Sequence, residues 1–462
     1  MKYILSGCTG HLGLNLVKYL LSAGKSVKAI ALPGENTEKL SEHGAEVVYG
    51  DVTDRDFVFS QVEQGCVFFH LAGIIDITSG NKDKVYLVNV KGTENVADAC
   101  LAKGARLVYT SSVHVIPPAK KGKVMCEPVS FSPDKVVGDY AKSKTIATKY
   151  VFEKCREGLD AVVLYPSGII GPLDDKVSSL GQLVLDIANR KIRTRVTGGY
   201  NFVDVRDVAC GVAAAAEKGR SGEGYILSGS EVTIDGIFKI VNGYLKRTGF
   251  VPMLATGFVK IFSSIAEAYY RVRGLKPLFT KYSLYTITSN HSFSNQKAVI
   301  DLGFNARSAD ESIIDALNWF FFNKPELLEE KTKKELLAAI EKVNPKMRAT
   351  VEAAELKRMN REGLIQHCIV EGPLSYDVAM DKAIARHKGV DCEYCGDFDA
   401  LILPDIDAGN ILGKCLIVTA KAEMGGVIMG AKVPIVLTSR GSSAEEKFFS
   451  IAVASLMAGQ TL

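Results

Sequence analysis

The sequence predicts an α/β chain: a doubly wound parallel sheet carrying an extra lobe, followed by a second, smaller α/β domain. Three observations predict it. Short β-branched runs alternate with helical periodicity over the first 165 residues, the rhythm of parallel strands joined by crossover helices. Three glycines, Gly7, Gly10 and Gly13, follow the first apolar run directly. Composition then shifts near residue 324 to a stretch rich in Lys, Glu and Leu, after which strand-like runs return. At 462 residues the chain exceeds what one hydrophobic core supports.

Taken in order, the strands are expected at residues 2–5, 27–32, 46–49, 66–71, 106–109 and 161–165. Leu12, Leu14, Leu16, Val17, Leu20 and Leu21 repeat at helical spacing, so a helix follows the glycines. A glycine-rich turn between a buried strand and a helix lets the backbone approach a pyrophosphate at the helix N-terminus, the arrangement of a Rossmann-type sheet. Residues 1–170 are expected to form this core, 171–324 a substrate lobe, 325–343 a charged, solvated helical connector and 344–462 the second domain. Further strands are expected there at 400–403, 415–420, 426–429 and 433–437.

Bulk properties exclude several classes. The 56 basic and 52 acidic residues are interspersed, so no nucleic-acid footprint is indicated, while small acidic ligands stay open. Ten cysteines follow no regular framework, and the chain enters its first strand without a signal-like segment. A reducing, cytoplasmic setting without structural disulfides is expected. Cys392 and Cys395 form one Cys-x-x-Cys with no second pair or histidine pair beside it, so no metal site is expected. The most apolar stretch, 250–272, contains Lys260, Glu267 and Arg271, so no integral membrane span is expected.

The motifs carry chemistry. Ser6-Gly7-Cys8-Thr9-Gly10-His11-Leu12-Gly13, Gly50-Asp51-Val52-Thr53-Asp54, His70-Leu71-Ala72-Gly73, Asn89-Val90-Lys91-Gly92-Thr93, Thr110-Ser111-Ser112, Tyr140 with Lys144, Pro166-Ser167-Gly168 and Phe202-Val203-Asp204-Val205-Arg206-Asp207-Val208 follow one another. In this order they resemble the extended short-chain dehydrogenase/reductase family over about 325 residues. The resemblance is nearest to the 3β-hydroxysteroid dehydrogenase and dihydroflavonol reductase-like branch, and sugar-nucleotide epimerases and dehydratases share the same motifs. It implies a nicotinamide cofactor held by Gly7, Thr9, Gly10, His11, Leu12, Gly13, Asp51, Val52, Leu71, Ala72, Gly73, Pro166 and Ser167. It also implies catalysis by Tyr140, Lys144 and Ser112, with Ser111 the alternative hydroxyl. A phenol is a poor acid at neutral pH unless a cation lies near, and Lys144, four residues on along a helix, shares its face. The expected reaction is hydride exchange with a secondary alcohol or ketone, with nucleotide-sugar epimerisation or dehydration as the rival.

Cofactor choice is set where the second strand ends. Leu32-Pro33-Gly34-Glu35 supplies neither an arginine for a 2′-phosphate nor an aspartate for a ribose hydroxyl, which favours NAD over NADP. Glu35 reaches toward the ribose in one reading and stands in a solvated turn in the other.

From residue 344 the chain resembles the carboxy-terminal part of phosphate acetyl/butyryltransferases. Asn344-Pro345-Lys346-Met347, Glu371-Gly372-Pro373-Leu374-Ser375-Tyr376-Asp377, Pro404-Asp405-Ile406-Asp407-Ala408-Gly409-Asn410, Gly430-Ala431-Lys432-Val433-Pro434 and Thr438-Ser439-Arg440 carry the match. That resemblance implies an anion or acyl site at Ser439 and Arg440, with CoA or phosphate as ligand. A planar guanidinium suits an anion fork. The resemblance lacks the amino-terminal part that forms one wall of that family's cleft. Catalytic, regulatory and merely fused roles for this unit therefore stay open. A homo-oligomer is expected.

Overall fold

The computed structural model describes residues 2–75, 81–120, 122–192, 194–248, 251–254, 281–340, 348–387, 390, 392–404, 408–409, 412–413, 415–416, 427–428, 435–436 and 444–459. Two compact units divide the chain, Met1–Met347 and Arg348–Leu462.

In the first unit the strands are β1 (Tyr3–Ser6), β2 (Val27–Ala31), β3 (Glu46–Tyr49), β4 (Val67–His70), β5 (Arg106–Thr110), β6 (Ala161–Pro166), β7 (Gly168–Ile170), β8 (Arg195–Val196), β9 (Gly199–Asp204), β10 (Glu223–Leu227), β11 (Ser230–Thr233) and β12 (Met253–Leu254), the last paired with β8. Seven of them make one sheet in the order β10-β6-β5-β4-β1-β2-β3. Every pairing in it is parallel. The reversal of order lies between β1 and β4, where a doubly wound sheet opens its crevice.

Helices cover both faces. His11–Ser22 and Val205–Lys218 pack on one, with Leu16, Val17, Val208 and Val212 wholly buried beneath them. Thr93–Lys103 and Asp139–Arg156 pack on the other, over Phe68, Leu107 and Val163. Strands buried on both sides read as continuous apolar runs rather than alternating ones. β2, β4 and β6 accordingly carry no exposed residue.

The six expected strands are present, each displaced by a residue or less at its start. The seventh, β10, lies beyond the boundary expected for the core near residue 170. The chain leaves the sheet after β6, forms part of the lobe, and returns at Glu223, so core and lobe interleave. The lobe holds a small sheet, β11-β9-β7, and a separate apolar cluster around Ile313, Leu317 and Phe320.

The charged stretch after residue 324 is not a solvated connector. Its helix, Glu330–Ile340, buries Leu336 and Ala339 in the lobe cluster, and Thr332 donates to the Ala188 carbonyl at 2.9 Å. Glu330, Lys331 and Lys334 are exposed, which makes the segment read as solvated, whereas Glu335 turns to Arg190 and Arg247 of the lobe.

The second unit holds the helices Arg348–Arg361, Tyr376–Met380, Lys382–His387 and Ala444–Gly459, with a short antiparallel pair, Val427–Ile428 and Ile435–Val436. Val378, Ala385 and Cys395 form a small core of its own. The strand expected at 400–403 is irregular backbone, and the described part of 415–420, Cys415 and Leu416, is helical. All ten cysteines are free thiols. Among the described residues no helix is long and apolar enough to cross a membrane, and most of 250–272 lies outside them.

Candidate active site

The glycine loop fits its strand and helix through contacts that no side chain could share. Gly7 takes φ +76°, and a Cβ there would lie 2.6 Å from the Ala72 amide nitrogen. A Cβ on Gly13 would lie 2.1 Å from the Gly7 carbonyl oxygen. The loop is thus pressed against both β4's exit and its own helix. Gly10 caps that helix in extended backbone, and no acidic residue stands in the first turn to compete with an anion. Thr9, His11 and Leu12 lie along this same turn.

The neighbouring segments converge on it. The Leu71 amide donates to the Ser6 carbonyl at 3.1 Å, holding Leu71, Ala72 and Gly73 beside the loop. His70, wholly buried, bridges Ser6 Oγ at 2.8 Å and Thr93 Oγ1 at 3.0 Å. Burial, and after it the Lys144 charge, pulls this imidazole down to about 3, so it stays neutral. At the end of β3, Asp51 Oδ1 accepts from the Thr53 amide at 2.9 Å, and Val52 is buried against Gly92. Beyond β6, Ser167 is buried and its Oγ has no hydrogen-bond partner.

Tyr140, Lys144 and Ser112 meet at the carboxyl edge of β5. The helix Asp139–Arg156 presents Tyr140 and Lys144 inward, both buried. Burial pushes the Tyr140 phenol up to about 12, and a hydrogen bond with Ser112 opposes the rise. Lys144 donates to the Thr110 carbonyl at 2.9 Å and lies 4.9 Å from the Tyr109 ring centroid; burial draws it down to about 7. The two adjacent serines part company. Ser111 Oγ shares a 2.7 Å hydrogen bond with Thr148 Oγ1 and faces the helix, whereas Ser112 Oγ accepts from the His114 amide and faces Tyr140.

Asn89 was missing from the sequence-based site. It lies in a wide helical turn, Leu87–Gly92, whose geometry turns the side chain inward. Asn89 Nδ2 donates to Ser143 Oγ and to the Ile74 carbonyl, each at 3.0 Å, and Oδ1 accepts from the Ile74 amide at 2.8 Å. It therefore ties the segment after β4 to the helix that carries Tyr140. The motif Asn-Val-Lys-Gly-Thr was legible, but the inward turn was not.

Next to His114, which meets Tyr140, opens a small cavity of about 50 Å³ with apolar walls such as Ile116, Met125 and Phe293. Its polar lining comprises His114, Tyr200, Tyr285, Thr286, Ser289, Asn290 and His291. Tyr200 Oη and His114 Nε2 share a 2.6 Å hydrogen bond, and His114 meets Tyr140 edge-on at 5.9 Å between ring centroids. Burial, then the neighbouring His291, pulls His114 down to about 4. No lysine or arginine lines this cavity among the described residues.

The 3-beta hydroxysteroid dehydrogenase/isomerase family matches residues 4–218. A Synechocystis sp. relative bearing the dihydroflavonol 4-reductase name is 30% identical over 328 residues, covering 69% of this chain and 94% of the relative. The amino-terminal unit belongs to this dehydrogenase/isomerase family. The crystal structure of gox2253 is similar to the same unit, with TM-score 0.63 and 28% identity over 71% of this chain and 99% of that one.

A second family, phosphate acetyl/butaryl transferase, matches residues 301–455. The phosphate acetyltransferase of Thermotoga maritima is 49% identical over 129 residues, 28% of this chain. The chain spans 44% of that relative's length. The chain thus joins an epimerase/dehydratase/reductase-like unit to a phosphate acyltransferase-like one. Ser439 and Arg440 lie outside the described residues, as do Asp405, Asp407 and Asn410.

Proposed function

We propose that the amino-terminal unit is a nicotinamide-dependent oxidoreductase acting on a secondary alcohol or ketone whose body is largely apolar. One observation carries the reading: Tyr140 and Ser112 stand together at the end of β5, and a cavity with apolar walls at Ile116, Met125 and Phe293 opens nearby. The bound nicotinamide supplies or accepts the hydride. At neutral pH Tyr140 is a protonated phenol, able to donate to a substrate carbonyl oxygen as charge develops there, and Ser112 Oγ hydrogen-bonds the same oxygen. Lys144, with its ammonium lost or regained near neutral pH, supplies a titratable charge on the same helix face. Ser167, Asp51 and Thr9 are the polar groups proposed to line the cofactor groove, and Gly7, Gly10 and Gly13 to cradle its pyrophosphate.

The apolar walls at Ile116, Met125 and Phe293 support a substrate with an apolar body. Fluorescence titration with NADH and NADPH tests the proposal first. Binding of neither overturns it. An alcohol panel tests the reaction next: net reduction of NAD or NADP supports a dehydrogenase, whereas conversion of a sugar nucleotide without free NADH supports the epimerase.

For the carboxy-terminal unit we propose anion binding at Ser439 and Arg440, for phosphate or CoA, without independent turnover. Its support is the partial span of the relatives. CoA-dependent formation of acetyl- or butyryl-phosphate by the full chain, abolished by Arg440→Ala, would make the protein bifunctional.

A further inference from the structure

β2 is followed by Leu32 where an arginine would hold a 2′-phosphate, yet a cation stands beside the turn that follows it. Residues 171–178 run from β7 back over the glycine loop. The Pro172 carbonyl accepts from Asn15 Nδ2 at 3.1 Å and lies 3.0 Å from His11 Nε2, which pins the start of this strap to the helix. Four residues on, Lys176 Nζ donates to Thr9 Oγ1 at 3.0 Å and pairs with Glu35 at 2.6 Å. Glu35 also accepts from the Leu32 amide at 3.1 Å. Burial alone would raise the Glu35 carboxyl, but Lys176 and then the Leu32 amide outweigh it and hold it below the ordinary range. The carboxylate is therefore ionised, and its charge is balanced by Lys176.

We infer that Lys176 lets this site accept an adenosine 2′-phosphate, so that the chain binds phosphorylated and unphosphorylated dinucleotides alike, Glu35 serving the ribose hydroxyl and Lys176 the phosphate. The inference rests on the dinucleotide reading of the glycine loop. A carboxylate standing alone at the end of the second strand repels a phosphate dianion, and an ammonium within hydrogen-bond reach cancels that repulsion. An ammonium has three donors, and Thr9 and Glu35 engage two. The other cation of this edge, Lys39, is committed to Asp175 at 2.6 Å and lies over the Trp319 ring. Lys176 is more than half exposed, so its four-carbon stem is free to follow the ligand, and its replacement leaves the fold intact.

The test is calorimetric titration of the full chain with 2′,5′-ADP and with 5′-ADP, beside fluorescence titration with NADPH and NADH. Wild type is expected to bind both ADP isomers. Lys176→Ala is expected to weaken 2′,5′-ADP by about tenfold or more while changing 5′-ADP by less than about threefold, the scale of one charge-assisted hydrogen bond. Glu35→Gln is expected to tighten 2′,5′-ADP. Equal weakening of both ligands by Lys176→Ala, or rejection of 2′,5′-ADP by wild type, would overturn the inference. Failure of wild type to bind either ADP overturns the dinucleotide reading with it. Lys176-dependent ADP binding without binding of NADH or NADPH would leave the inference standing and remove the oxidoreductase.

Discussion

Tyr140 holds a proton at any pH near neutrality because burial keeps its phenol at about 12. Tyr140→Phe keeps the ring and deletes the proton, so turnover is expected to fall by about 10² to 10⁴ while NADH affinity stays within error. Near-normal turnover would remove Tyr140 from the mechanism. Lys144 yields a pH-dependent prediction. Its amine titrates at the ordinary value of 10.5 in the unfolded chain and at about 7 in the fold. Between those values the unfolded chain binds more protons, so stability contributed at this site rises with pH across that window. Below pH 7 the buried ammonium is a standing cost. Lys144→Met is therefore expected to melt higher than wild type at pH 6, with the advantage shrinking as the pH approaches 10, measured by thermal denaturation. A pH-independent difference would show that the charge is not strained, and loss of turnover is expected in either case.

The glycine loop makes its prediction as an element. Gly13→Ala drives a methyl into the Gly7 carbonyl and the Cys8 backbone, and backbone atoms have no rotamer by which to yield. The helix His11–Ser22 must shift outward, so a loss of about 1 to 3 kcal/mol in denaturant unfolding is expected, together with loss of dinucleotide binding. Gly24→Ala, where a Cβ meets nothing, carries only the strain of its positive φ and is expected to spare binding. Elements of this kind were legible in the sequence because the requirement is local: a strand, three glycines and a helix. β10 was not. Its residues, Glu-Gly-Tyr-Ile-Leu, form a short run that periodicity does not separate from a helix end, and only its pairing with β6 makes it a strand. The meeting of Thr9, Glu35 and Lys176 was equally hidden, because it depends on a strap whose path, with positive φ at Leu173 and Val177, no motif announces. Ser112 could be preferred over Ser111 only by resemblance, whereas the direction of each hydroxyl follows from the exit of β5.

At the scale of the molecule, the two family matches overlap the structural division unevenly. The transferase match starts at residue 301, inside the unit that ends at Met347. Where the chain can be cut is thus decided by packing rather than by family borders. The helix Glu330–Ile340 buries Leu336 completely in the lobe. On the same helix Glu335 pairs with Arg190 at 2.7 Å and with Arg247, whose guanidinium also donates to the Ala188 carbonyl at 2.6 Å. Truncation after Lys331 deletes these groups and leaves Arg247 half-buried with its carboxylate gone. Loss of one buried leucine costs about 2 to 5 kcal/mol, and an unpaired buried charge adds to it. Set against an ordinary domain stability of about 5 to 15 kcal/mol, that sum removes much of the margin. A chain ending at Met347 is therefore expected to unfold cooperatively and to bind dinucleotide as the full chain does. One ending at Lys331 is expected to melt well below it or to aggregate on expression. Equal melting temperatures for the two truncated chains would show that the helix adds nothing to the lobe. Loss of dinucleotide binding by the chain ending at Met347 would show that the carboxy-terminal unit supports the first unit's site.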